Sequence, residues 1–127
     1  MGLKLIRLEL VRSKSGHVND HRHSYTFQAS LTPCGELMID GYGAVSRLCK
    51  VIKSEPETGL HKGFLILTSD GWMLSCDGSD SRHCSLNRLE ARSLSEGDYV
   101  SITEDDGVSR TFEVVFVKNA EVEIVQV

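Results

Sequence analysis

Three histidines and a tyrosine crowd one short stretch: His17, His21, His23 and Tyr25. Alternate residues of an extended backbone share a face, so His21, His23 and Tyr25 point the same way. Two imidazoles at i and i+2 are a pair that zinc sites use, with a third ligand arriving from elsewhere in the fold. His17, His61, His83 or Cys84 is available as that third donor. A neutral imidazole also exchanges protons near pH 7, so the same pair would serve a small-molecule site. The plainer reading is that His21 and His23 are polar residues where a strand frays into its loop. It is preferred here, because spacing matches of this kind arise easily by chance.

A second cluster runs from Asp77 to Cys84, with two carboxylates, an imidazole and a thiol in Asp-Gly-Ser-Asp-Ser-Arg-His-Cys. Its chemistry would be that of a cysteine hydrolase: a Cys84 nucleophile, a histidine base, and Asp77 or Asp80 orienting that base. His83 is poorly placed as the base because adjacent side chains diverge; His21, His23 or His61 would have to arrive through the fold. Asp, Gly and Ser are also turn formers, and a solvated turn is the preferred reading. Asp77 and Asp80 lack the spacing and terminal Glu of an EF-hand loop. Glu96-Gly97-Asp98-Tyr99 reads as a turn feeding a strand, and Glu104-Asp105-Asp106 as a solvated hairpin tip.

The elements that must position these residues are mostly strands, since the apolar period is near two. Leu3 to Val11 switches parity, which points to a bulge or to burial of both faces. From position 21, His21, His23, Tyr25, Phe27, Ala29 and Leu31 alternate with Arg22, Ser24, Thr26, Gln28 and Ser30, giving one core face and one wet face. Pro33-Cys34-Gly35 then fits a three-residue hairpin loop, setting Leu31 opposite Leu37. Asp70-Gly71 suggests a two-residue turn with Leu67 facing Leu74. For Tyr99 to Val117 the loop Asp106-Gly107-Val108 sets Ile102 on Phe112 and Glu104 on Arg110. Val45, Leu48, Cys49 and Ile52 fall at i, i+3, i+4 and i+7, which predicts an amphipathic helix over 43–53 ending before Pro56.

The expected class is therefore α+β: predominantly antiparallel β, about seven strands in a barrel or roll, with one helix. An open sheet with the helix across one face is the alternative. The expected core is Phe27, Leu31, Leu37, Ile39, Leu48, Ile52, Leu67, Leu74, Ile102, Phe112 and Val114.

His21-Arg22-His23-Ser24-Tyr25, followed by alternating strand residues, a Gly, Asp40 and the helical pattern, resembles the His-Gly-His-Ser-Tyr segment of the pyruvoyl-tetrahydropterin synthase family. Members of that family bind zinc through three histidines, so the resemblance implies His21 and His23 as metal ligands. It covers roughly Gly16 to Ile52. Arg22 stands where the family has Gly, the loop before Asp40 is shorter, no His lies at Leu8 or Leu10, and the hairpin from Phe64 to Cys76 has no counterpart. We read the likeness as convergence on a common strand pattern.

With 127 residues the chain has the length of one domain, spanning 1–127. Net charge is −4, yet residues 1–30 carry five Lys/Arg against two Asp/Glu. Nucleic-acid binding is not expected of an acidic chain with few aromatics. No apolar run is long enough for a membrane span, and the start lacks the pattern of an export signal, so the expected location is cytoplasmic. The four cysteines are expected to stay reduced there. Three functions follow as alternatives. The first is a non-catalytic module holding a small-molecule or protein ligand between the helix and the open end of the sheet near Tyr25, Tyr42 and Trp72; a small-molecule or metal site is expected at His21, His23 and Tyr25, with Arg12, Lys14 and Arg22 favouring an anion. The others are a zinc enzyme using His21 and His23, and the Cys84 hydrolase.

Overall fold

In the computed structural model the described residues are 4–13, 18–38, 45–57, 59–69, 71–77, 84–91 and 93–119. They form nine strands: β1 (Lys4–Ser13), β2 (Val18–Leu31), β3 (Leu37–Met38), β4 (Val45–Glu55), β5 (Gly59–Thr68), β6 (Gly71–Asp77), β7 (Cys84–Glu90), β8 (Tyr99–Thr103) and β9 (Ser109–Asn119). Every pairing is antiparallel, in the order β1-β9-β8-β7-β6-β5-β4-β2, and β2 pairs back onto β1. Eight strands thus close into a barrel, which leaves no long open edge. β3 is a two-residue extension alongside the far end of β2.

The class is all-β, which corrects the α+β expectation: among the described residues there is no helix, and 45–55 is a strand. Val51 and Lys53 turn inward while Lys50 and Ile52 are exposed, the alternation of a strand. Two features disguise it. Lys53 occupies an inward position, and five steps along β4, from Val45 to Lys50, match only two along β5, from Ile66 to Phe64. The spacing of Val45, Leu48, Cys49 and Ile52 that predicts a helix does not mark a buried face, since Ile52 is exposed on the strand. The helix that carried part of the synthase likeness is absent with it.

The barrel interior is filled by side chains: Ile6, Leu8, Tyr25, Phe27, Val51, Leu65, Leu74, Ile102, Phe112 and Val114 are among the buried residues. Five expected core residues are here, and Leu31 and Leu37 pack partly against them. Leu67 is half-buried and Ile52 is exposed, a further correction; Ile39 and the Leu48 side chain lie outside the described residues.

Register follows turn chemistry. Thr32 N donates to Glu36 O at 2.8 Å and Gly35, at φ 86°, donates to Thr32 O at 2.9 Å, so Leu31 faces Leu37 as expected. The β8–β9 loop repeats this motif: Glu104 N donates to Val108 O at 3.0 Å and Gly107, at φ 82°, donates to Glu104 O at 2.8 Å. The loop is therefore Asp105-Asp106-Gly107, with glycine in the left-handed third position. Val100 faces Phe112 and Ile102 faces Arg110, two residues from the expected register but with the inward set unchanged. In the β5–β6 hairpin Leu65, not Leu67, faces Leu74. That pairing requires glycine at 63, because a Cβ there would lie 1.6 Å from the Ser75 carbonyl oxygen.

Candidate functional site

The start of β2, the end of β4 and the β8–β9 hairpin meet at one end of the barrel. Inward alternation continues past the apolar core at this end. On β8 it runs Val100, Ile102 and then Glu104; on β9 it runs back through Val114, Phe112 and Arg110; on β4 it places Lys53 after Val51. The result is a group of charged side chains inside the barrel wall. Glu104 is 4% exposed and Lys53 3% exposed at their side chains.

Glu104 is the hub. Its Oε2 accepts from the Tyr25 hydroxyl at 2.5 Å, lies 3.0 Å from His23 Nε2 and 3.1 Å from Lys53 Nζ, while its Oε1 accepts from Arg110 at 2.8 Å. Lys53 Nζ also pairs with Glu55 Oε1 at 2.6 Å and donates to Asn87 Oδ1 at 3.4 Å. Asn87 is itself fixed by donating from Nδ2 to the Leu74 carbonyl at 3.0 Å. Arg110 reaches outward to Asp106, with 3.0 Å between NH2 and Oδ2. Below, Phe112 meets the rings of His23 and Tyr25 edge-on at 5.6 and 5.3 Å, and Lys53 Nζ lies 5.4 Å from the Tyr25 ring centre. Every neighbour of this carboxylate is thus held by a second contact, the condition for tolerating buried charge.

These contacts fix protonation states. Burial alone would raise the Glu104 carboxyl, but hydrogen bonds from His23 and Tyr25 and the Lys53 ammonium outweigh it and bring it down to about 2. Burial pushes the Tyr25 phenol upward, and the Glu104 charge pushes it further. For Lys53 burial works downward, yet the carboxylates of Glu55 and Glu104 leave the ammonium above its ordinary value. Glu104 is accordingly an anion, Lys53 a cation and Tyr25 a neutral donor at physiological pH.

A cavity of about 140 Å³ opens beside the group, lined by His23, Lys53, Glu55, Glu104, Asp105, Asp106 and Arg110. Larger depressions of about 510 to 570 Å³ lie elsewhere, along Tyr99 and Thr111, around Pro33 and Leu94, and between Leu37 and Trp72. No buried charged side chain lines any of these among the described residues.

Of the residues nominated from sequence, His23 and Tyr25 are brought together in this group. His21 lies on β2, and its imidazole is outside the described side chains. The thiol of Cys84, and His17, His83, Asp80 and Tyr42, are likewise outside them; neither Cys34 nor Cys76 forms a disulfide. Trp72 belongs to the opposite end, beside Leu37. Arg22 is mostly exposed and paired with Asp20 at 3.3 Å. Among the described residues no group of three or more His, Cys, Asp or Glu is placed to hold a metal ion. Glu104 corrects the reading of 104–106 as a solvated tip: only Asp105 and Asp106 are exposed. Sequence reasoning missed Lys53 and Glu104 as site residues, although Glu104 follows Val100 and Ile102 in strict alternation. No protein-family model, curated protein or solved structure matches the chain.

Proposed function

We propose that the chain is a non-catalytic binding module that takes a small polar ligand or ion at the charged end of its barrel. The observation that carries this reading is the cavity of about 140 Å³ set against buried, fully oriented charges. A water molecule occupies roughly 30 Å³ of liquid, so the space suits a ligand of only a few non-hydrogen atoms. The rest of the interior is packed with apolar side chains, which argues against a large lipophilic ligand. Pre-oriented polar groups at the mouth of a filled barrel are how such sites gain specificity.

A binding role fits the protonation states better than acid–base catalysis does. A general acid or base works best with its value near the working pH. Glu104, Tyr25 and Lys53 are each driven away from neutrality.

The test is backbone-amide chemical-shift mapping against zinc, inorganic phosphate, acetate and ethylammonium. At least one probe is expected to move His23, Lys53, Glu55, Glu104 and Arg110 together, and to lose that effect in Lys53→Met. Responses confined to the Trp72 end, or none at these five residues, would overturn the reading.

A further inference from the structure

The outer wall of the barrel is chemically divided. On β8 and β9 the outward residues are mostly polar, Ser101, Thr103, Ser109, Thr111 and Glu113, with Tyr99 54% and Val115 38% exposed among them. On β4 to β7 they include a denser apolar set: Leu60 is 68% exposed, Leu86 51%, Ile52 42% and Phe64 41%, with Ile66 and Met73 half-buried beside them. The pairings make this one patch. Phe64 lies across from Ser75, which lies across from Leu86; Ile66 faces Met73 in the next row. A soluble barrel has no folding reason to present apolar side chains in adjacent rows on its wet face.

Cations are set among these residues. Lys62 is the cross-strand partner of Ile52, Lys50 that of Phe64, and Arg88 that of Met73. All three are exposed; Arg88 pairs with Glu90 of the same wall at 3.6 Å, while the chain's net charge is −4. A second copy of the chain laid on this wall would bring Lys50 and Lys62 against their own kind. A partner with carboxylates around an apolar strip would instead satisfy both features.

We propose that the β4–β7 wall docks an acidic protein partner, with Phe64 and Leu86 as apolar anchors and Lys50 and Lys62 selecting for carboxylates. The patch is separate from the charged end of the barrel and does not depend on ligand binding there.

The probes are a synthetic peptide of alternating Leu and Glu, a matched peptide of alternating Leu and Lys, and phosphatidylcholine vesicles containing phosphatidylglycerol. Binding is followed by amide shifts in the intact protein, with sedimentation velocity of the protein alone. The acidic peptide is expected to move Lys50, Ile52, Lys62, Phe64 and Leu86. Its affinity should fall at least tenfold in Lys50→Glu/Lys62→Glu and as salt is raised from 50 to about 500 mM, since exposed charges are screened. The positions point outward, so these variants keep the melting temperature, which separates lost docking from lost folding. Phe64→Ser/Leu86→Ser should weaken binding with no loss of salt sensitivity. Equal binding of the basic peptide, or no shifts on this wall, would overturn the proposal. So would vesicle binding through these residues without peptide binding, or a concentration-dependent dimer abolished by Phe64→Ser.

Discussion

Replacing Glu104 by Leu is expected to destabilise the fold by about 3 to 5 kcal/mol, the cost of removing one partner from a buried charged group. The substitution leaves the Lys53 ammonium inside the barrel with less negative charge beside it, and it orphans the Tyr25 hydroxyl. Arg110 retains Asp106 and is less affected. Tyr25→Phe, which removes one hydrogen bond to a charged acceptor, should cost about 1.5 to 3 kcal/mol. In the double variant Lys53→Met/Glu104→Leu much of the loss should return, because apolar groups of similar size can replace a buried ion pair. Urea unfolding of the wild type, these three variants and Lys53→Met at pH 7 measures these values. A loss below 1 kcal/mol for Glu104→Leu, or strict additivity in the double variant, would contradict the buried network.

Acidification is expected to remove roughly 3 kcal/mol of stability between about pH 5 and pH 2, at 1.36 kcal/mol per pH unit of depression. A carboxyl held at about 2 in the fold and 4.5 when unfolded binds its proton more readily in the unfolded chain. Its contribution is therefore complete above the unfolded value and disappears as pH falls through the folded one. Lys53 works in the opposite range: raised above 10.5, it stabilises fully below that value and loses its effect as pH climbs past it. Denaturant midpoints at pH 7, 4.5 and 2.5 report the acid limb, and Glu104→Leu should flatten it. An unchanged acid slope in that variant would assign the effect to other carboxylates.

Strand faces were legible in the sequence wherever alternation was unbroken. Tyr25, Phe27, Ala29 and Leu31 point inward as their parity requires, and Pro33-Cys34-Gly35 set its hairpin register correctly. Register failed where local signals competed with packing. Asp70-Gly71 carries a two-residue turn signal, but Thr68 pairs with Gly71, so the loop lies one residue earlier, in a register that only a glycine at 63 can enter. Hydrophobic matching of Ile102 with Phe112 favours Asp106-Gly107-Val108 as the loop, whereas glycine's left-handed position moves the loop back by one residue.

β4 was the largest failure, and the same residue explains why the site was only half visible. An inward lysine looks like an error in a strand pattern until its acceptors are known. Those acceptors, Glu55 and Glu104, lie on β4 itself and on the distant β8–β9 hairpin, so only the closed barrel brings them together. His23 and Tyr25 could be nominated because they share an unbroken strand face. Lys53 and Glu104 required the topology.

The most direct test of the account is the carbon-13 shift of the Glu104 side-chain carboxyl, followed from pH 7 downward in the folded protein. An ionised hub held by Tyr25, His23, Lys53 and Arg110 predicts a midpoint near 2, with the Tyr25 ring and Lys53 side-chain resonances changing in the same step. A midpoint at or above 4.5, titrating independently of Tyr25 and Lys53, would show that Glu104 is an ordinary exposed carboxylate and that the charged end of the barrel is not built as described.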